Sequence, residues 1–205
     1  MAPNSPRQSN PIAFLIRHGL DTLSDSGVFV SWTDVDLNEE GVKQASVVYD
    51  FLSDYDIQQV YSSPLIRCVT MALMLGKPIQ QERSLLPWNR GVLTGTLEEE
   101  GKDTLKLYMQ NPKVKIPLGE SRLDCENRLE KFFIRALADA EEKMAAFFTH
   151  HSVIDVLNSL LKGERNDEPE NLVKPGGVVA VFVDGDGYRL EPVLNVDEKS
   201  SVSMS

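Results

Sequence analysis

Apolar residues in this chain fall into short continuous runs separated by longer amphipathic stretches. Ile12-Ala13-Phe14-Leu15-Ile16 and Ala145-Ala146-Phe147-Phe148 are of strand length and lack polar alternation, which predicts strands buried on both faces. Val42, Ala45, Tyr49 and Leu52 recur at helical spacing and predict a helix over 39–53 with that face inward. A strand over 57–61 leads into a helix over 64–75, stopped at Gly76-Lys77-Pro78. Thr96 and Glu99 have capping-box spacing and predict a helix over 97–110, ended by Asn111-Pro112. Ser121 with Asp124 opens the longest helix, reaching residue 143, with Cys125, Leu129, Phe132, Phe133, Ala136, Leu137 and Ala140 as its core stripe. A helix over 152–162 comes next. Gly177 to Val183 and Tyr188 to Val193 then form a hairpin about Asp184-Gly185-Asp186-Gly187, whose aspartates read as a plain turn and not a calcium loop. Alternating strands and helices imply an α/β fold, a mostly parallel sheet with helices on both faces.

Length and composition fit one domain over 12–194, between a disordered polar leader (1–11) and a disordered serine-rich tail (195–205). The balance of 21 basic against 31 acidic residues gives a formal charge of −10, which argues against nucleic acid or an anionic membrane as partner. No stretch is long and apolar enough to span a membrane, and residues 1–10 do not have the makings of a secretory signal. The two cysteines, Cys68 and Cys125, lie in helical patterns and read as buried free thiols, which places the protein in a reducing, cytoplasmic compartment. Cysteine-phosphatase spacing fails, because Met74 and Lys131 stand where an arginine is required.

Chemistry concentrates at the ends of the predicted strands. Arg17-His18-Gly19 follows the first apolar run, Arg67 follows Tyr61-Ser62-Ser63-Pro64, and His150-His151 follows Phe147-Phe148-Thr149. Ligands of open α/β sheets bind outside the carboxyl ends of the strands, so these segments can converge on one pocket. A neutral imidazole can attack phosphorus, an arginine fork can hold phosphate oxygens, and Gly19 lets an anion approach the backbone. A zinc site from His18, His150 and His151 is disfavoured, since adjacent residues rarely turn both rings to one metal.

Together the segments resemble the histidine phosphatase superfamily, the phosphoglycerate-mutase-like family. Tyr61-Ser62-Ser63-Pro64-Leu65-Ile66-Arg67 and His150-His151-Ser152-Val153-Ile154 are similar to its second and last motifs. Ser31-Trp32-Thr33-Asp34 with Gly41 and Gln44, and Pro117-Leu118-Gly119-Glu120-Ser121 with Asp124 and Arg128, are similar to two more. The motifs stand in family order over about residues 12–194. The resemblance implies a phosphoglycerate-mutase-like fold and a phosphatase working through a phosphohistidine at His18, without metal or other cofactor. Arg17 and Arg67 would clamp the phosphoryl oxygens, and a protonated His150 at a helix N-terminus would hydrogen-bond them. The expected substrate is a phosphorylated small molecule or phosphoprotein. A phosphoglycerate or phosphosugar mutase, and a catalytically weak phosphate-binding module, stand as alternatives; a homo-oligomer is left open.

Three positions depart from the family pattern. Ser24 stands where a phosphate-binding asparagine is usual, and His151 where glycine is usual, so that His151 either caps its helix or touches substrate. Pro87, within Leu85-Leu86-Pro87-Trp88-Asn89-Arg90-Gly91, stands where many members carry the glutamate that protonates the leaving oxygen. Glu120, Asp21, Glu98, Glu99 and Glu100 are the candidate replacements; otherwise the substrate has a good leaving group. Trp88 and Arg90 are expected to border the pocket.

Overall fold

The computed structural model describes residues 10–164 and 171–196; most of the leader and tail expected from the sequence lie outside these residues. Six strands form one sheet: β1 (Ala13–Arg17), β2 (Gln59–Ser62), β3 (Ile79–Gln81), β4 (Ala145–Thr149), β5 (Val178–Asp184) and β6 (Gly187–Leu194), in the order β3-β2-β4-β1-β5-β6. β3, β2, β4 and β1 pair in parallel, and β5 and β6 add an antiparallel hairpin at one edge. Among the described residues, five helices cover it: α1 (Glu39–Ser53), α2 (Ile66–Leu73), α3 (Glu98–Gln110), α4 (Arg122–Glu142) and α5 (His151–Lys162). None of the described helices is long and apolar enough to cross a membrane.

The continuous apolar strands are explained by a core on each face of the sheet. Phe14 and Ile16 of β1 pack with Val48 and Leu52 of α1 and Cys68 and Met71 of α2. Ala13 and Leu15 turn the other way, towards Leu129, Phe133 and Leu137 of α4 and Val153 and Leu157 of α5. Both strand faces are therefore dry, which removes any polar alternation. The α4 stripe is buried from Cys125 to Ala140 as its periodicity predicts, and the capping box of Ser121 and Asp124 is formed.

Three local expectations are corrected. The inward face of α1 carries Gly41, Gln44, Ala45, Val48 and Leu52, while Val42 and Tyr49 are 49% and 41% exposed. The phase is set by backbone packing, since a Cβ at Gly41 would lie 2.0 Å from the Leu20 carbonyl oxygen, so this turn must face inward. Gln44 Oε1 also accepts the Leu20 N–H at 2.9 Å. α3 is capped by Leu97 without a side-chain bond, because the Thr96 hydroxyl donates to the Leu93 carbonyl instead, at 2.8 Å. Its three first-turn glutamates complement the helix dipole without a cap. β3 was not foreseen; it is three residues of half-buried or exposed edge strand and carries little hydrophobic signal.

Candidate active site

Strand register brings the site together. Arg17 at the end of β1 pairs with Thr149 at the end of β4, and Ser62 at the end of β2 pairs with Phe148. The next residues therefore leave the sheet side by side. The His18 N–H donates to the Thr149 carbonyl at 3.0 Å, and the His18 and His150 rings lie 5.0 Å apart at 66°. Arg67 enters from the first turn of α2. Arg17, His18, Arg67, His150 and His151 all line one cavity of about 240 Å³.

Backbone carbonyls aim the cations. Arg67, 1% exposed, donates from its two terminal nitrogens to the Thr33 carbonyl at 2.8 Å and the Ser31 carbonyl at 3.0 Å. Its Nε lies 3.8 Å from Asp21 Oδ2. Arg17 donates to the Val173 carbonyl at 2.9 Å. A guanidinium has five donors, so each arginine keeps N–H groups for an anion.

The histidines are placed as neutral rings. His18 Nδ1 lies 2.8 Å from its neighbour's carbonyl, Gly19 O; donating there leaves Nε2 with a lone pair. Burial, then the Arg67 charge, pushes the His18 pKa well below its ordinary value, against the pull of the Gly19 carbonyl. His150 is 2% exposed, with Nε2 2.9 Å from Ser63 Oγ and Nδ1 3.5 Å from an Arg67 terminal nitrogen. Burial and Arg67 push it low too. Burial and the Arg67 charge thus favour a neutral His150, against the protonated form inferred from the sequence; a phosphate dianion beside it would favour the protonated form. His151 is the first residue of α5, and burial with the charges of Arg17 and Arg90 lowers its pKa to about 3.

Two predicted phosphate contacts are occupied elsewhere. Gly19 does not line the cavity: its N–H donates to Met71 Sδ at 3.2 Å, and a Cβ there would lie 2.7 Å from the Gly41 carbonyl oxygen. Gly19 is demanded by close packing on α1, not by anion approach. Ser24 lines the cavity, but its hydroxyl donates to Asp21 Oδ1 at 3.0 Å and accepts the Asp21 N–H at 2.8 Å, closing a turn.

Pro87, Trp88, Arg90 and Glu98 also line the cavity. Glu120 does not. Its two oxygens accept from Arg128 at 2.8 and 3.1 Å, and one also takes the Asn89 N–H at 2.9 Å. Arg128 in turn holds the carbonyls of Ser84 and Pro87 at 2.7 and 2.9 Å. This ion pair is a clamp on the 84–91 segment, which removes Glu120 as a proton donor. Glu99 pairs with Lys102 on an exposed helix face, and Glu100 is exposed; neither lines the cavity. Asp21 and Glu98 are the two candidate acids that do.

Sequence reasoning passed over Ser31 and Ser63. Besides its carbonyl bond to Arg67, Ser31 accepts the Arg90 N–H at 3.0 Å and donates to the Trp88 carbonyl at 3.2 Å through its hydroxyl. Its φ of 48° is in the left-handed region, which favours glycine. Ser63 holds His150, next to Cys68, whose Sγ lies 3.6 Å from the same ring. Burial pushes the Cys68 thiol up to about 12, so it is inert. Among the described residues no group of three or more His, Cys, Asp or Glu side chains is arranged to hold a metal ion.

Comparison with known proteins agrees with this geometry. A profile described as the histidine phosphatase superfamily (branch 1) matches residues 13–195, and the chain belongs to that superfamily. Among its relatives is the 2,3-bisphosphoglycerate-dependent phosphoglycerate mutase of Chlamydia caviae, 27% identical over 161 residues, or 60% of this chain and 71% of the relative. Phosphoserine phosphatase 1 of Hydrogenobacter thermophilus is 29% identical over 127 residues, 58% of this chain and 60% of that protein. The crystal structure of phosphoglycerate mutase from Thermus thermophilus superposes with a TM-score of 0.67 at 25% identity, covering 90% of this chain and 98% of that one. The relatives bear two reaction names, mutase and phosphatase, so phosphoryl-transfer enzymes of both kinds surround this chain.

Proposed function

We propose that this protein is a metal-independent phosphatase that hydrolyses a phosphoester or phosphoanhydride through a phosphohistidine at His18. The observation that carries the reading is the His18 ring, its Nδ1 tied to the Gly19 carbonyl at 2.8 Å and its Nε2 free beside Arg17 and Arg67. Nε2 attacks phosphorus, the bond from phosphorus to the leaving oxygen breaks, and the phosphoryl group stays on the ring. Water then attacks phosphorus, the phosphorus–nitrogen bond breaks with its electron pair returning to Nε2, phosphate departs with the oxygen and protons of the water, and His18 returns neutral. Arg17 and Arg67, with His150 taking up a proton from solvent as the anion arrives, balance the charge on the non-bridging oxygens. The N-terminal end of α5, at His151 and Ser152, adds its dipole.

The leaving oxygen finds no carboxyl at position 87. Asp21 is engaged by Ser24, the Leu23 N–H and Arg67, and Glu98 sits exposed at the cavity. Substrates whose leaving groups tolerate negative charge fit best: aryl and acyl phosphates, phosphoanhydrides or phosphohistidine, on a small molecule or a protein. A mutase must deprotonate and rephosphorylate a bound hydroxyl, which calls for an acid–base group at the position Pro87 occupies. Hydrolysis is therefore preferred to the mutase reaction of several relatives.

The test is adduct trapping. Protein incubated with an aryl phosphate should yield an acid-labile, base-stable phosphoadduct on His18, with or without excess chelator. His18→Ala should keep its fold and lose adduct and turnover together. Retention of more than a few per cent of activity would refute the mechanism, and a chelator-sensitive rate restored by zinc or magnesium would refute metal independence.

A further inference from the structure

The main-chain polar groups of His18, Gly19 and Leu20 are all partnered. The His18 N–H donates to the Thr149 carbonyl at 3.0 Å, and the His18 carbonyl accepts the Gly176 N–H at 3.1 Å. The Gly19 N–H donates to Met71 Sδ at 3.2 Å, and the Leu20 carbonyl accepts the Asn38 N–H at 3.0 Å. The two remaining groups belong to one peptide unit. They are the Gly19 carbonyl, 2.8 Å from His18 Nδ1, and the Leu20 N–H, 2.9 Å from Gln44 Oε1. A continuous line therefore runs from the Gln44 amide through the Gly19–Leu20 peptide to the imidazole. In such a chain each hydrogen bond polarises the next, so an acceptor on the Leu20 N–H makes the Gly19 carbonyl a better acceptor.

Gln44 is wedged into that place. It is 1% exposed on the inward face of α1, and it is not among the residues that line the cavity. A Cβ at Gly176 would lie 2.8 Å from Gln44 Cβ, and one at Gly19 would lie 3.1 Å from Gln44 Oε1. The Gly176 that packs on the Gln44 stem is the residue whose N–H holds the His18 carbonyl. Without the Gln44 oxygen the Leu20 N–H would lose its acceptor, and the peptide would be free to turn its carbonyl away from the ring.

We propose that Gln44 is a positioning residue for the nucleophile: through the Gly19–Leu20 peptide it keeps the His18 proton on Nδ1 and leaves Nε2 to face phosphorus. The proposal rests on the phosphatase reading for the reaction, but not for the tautomer. As the bond from Nε2 to phosphorus forms, the leaving oxygen departs with its electron pair. The ring keeps its Nδ1 proton and gains positive charge. Its bond to the Gly19 carbonyl strengthens at that moment, so Gln44 acts on the reacting state more than on the bound one. The phosphoryl oxygens themselves are left to Arg17 and Arg67.

Gln44→Met, of similar shape but without an oxygen acceptor, separates this role from packing. Nitrogen NMR of the intact protein near neutral pH should show His18 as the Nδ1–H tautomer in the unmodified chain and a mixture with Nε2–H in Gln44→Met. Single-turnover formation of the phosphoadduct from an aryl phosphate should slow by about tenfold to a hundredfold, the usual effect of a small misplacement. Calorimetric affinity for inorganic phosphate should stay within about threefold, since ground-state binding is not what Gln44 supports. Gln44→Glu, which keeps an oxygen at that place, should restore the tautomer and most of the rate. Where the adduct forms, an unchanged tautomer or an unchanged rate in folded Gln44→Met would overturn the proposal. So would a rate loss matched by an equal loss of phosphate affinity, or a Gln44→Glu variant that recovers neither readout. Should Gln44→Met not fold, the unmodified chain and Gln44→Glu still decide, and an Nε2–H ring in either would overturn the proposal. A Gln44-dependent Nδ1–H tautomer in a protein that forms no adduct would leave the positioning role standing and sink the phosphatase reading; an adduct on His18 with a tautomer indifferent to Gln44 would do the reverse.

Discussion

The two sides of the cavity are built by different means. On one side, Arg17, His18, Arg67 and His150 issue from β1, from α2 after β2, and from the end of β4, and the sheet register fixes their separation. Their donors are aimed by main-chain carbonyls of Thr33, Ser31, Val173 and Gly19. On the other side, Pro87, Trp88 and Arg90 lie on an irregular segment beside two short 3-10 turns, Arg83–Leu85 and Gly91–Leu93, held by the Glu120–Arg128 clamp and by Ser31. A sheet edge tolerates almost no change in spacing without moving the whole core. A loop held by side-chain clamps accepts new residues so long as the clamp survives. Arg17, His18, Arg67 and His150 therefore keep the family pattern, while the loop side departs from it at Pro87, where the acid is usual.

That contrast can be broken most decisively through the leaving group. With proline at the acid position, aryl or acyl phosphates should outpace alkyl phosphates by on the order of 10²- to 10⁴-fold in kcat/KM, the usual worth of a proton donor. Pro87→Glu should accelerate alkyl esters and hardly change aryl ones. A rate indifferent to the leaving group would show that another residue already supplies the proton, and Glu98→Gln would be the next variant to assay. A smaller but still large effect is expected on the phosphoryl side, where Arg67→Gln should lower kcat/KM by about 10²- to 10³-fold for aryl and alkyl esters alike. A loss confined to one ester class would mean that Arg67 serves leaving-group departure and not the transferred oxygens.

Glu120→Gln sharpens the comparison from the clamp side. It should reduce stability by about 1–3 kcal/mol, through the partners left unsatisfied on Arg128 and the 84–91 segment, without changing the dependence on leaving group. A flattened or steepened leaving-group slope in that variant would return Glu120 to the chemistry. The gentlest test is pH. The pKa values of His18, His150 and His151 are lowered in the folded protein, that of His151 to about 3. The unfolded chain therefore binds more protons once pH falls below the ordinary histidine value near 6.5. The stability these neutral rings contribute is complete above that value and is lost progressively as pH falls towards the folded pKa values. In phosphate-free buffer the Tm should decline on acidification through this window, and His151→Asn should make the decline shallower. A slope identical in the variant would mean that His151 titrates normally.

Most of the fold could be read from the order of apolar runs. Runs such as Ala13 to Ile16 and Ala145 to Phe148 lack alternation because both faces are covered, and the 3.6-residue stripe of α4 identifies its buried side directly. The four residues around His18 were legible because short motifs at strand ends carry their own topology: once the strands are parallel, their carboxyl ends must meet. Helix phase was less accessible where backbone packing, and not side-chain size, set it. In α1 the face turned inward by Gly41 leaves Val42 and Tyr49 outside.

The sequence by itself determined the α/β architecture, the superfamily and the histidine–arginine cluster, because these depend on periodicity and on motifs continuous in the chain. Only the tertiary structure decided what each polar group has left to offer. Glu120 is spent on Arg128, Ser24 on Asp21 and the Gly19 amide on Met71, while Arg90, stacked on Phe29, and His151 line the cavity. The reason is physical: a buried polar group is defined by its partners, and a partner such as Met71 for Gly19 comes from a segment 52 residues away, whose approach no local pattern records.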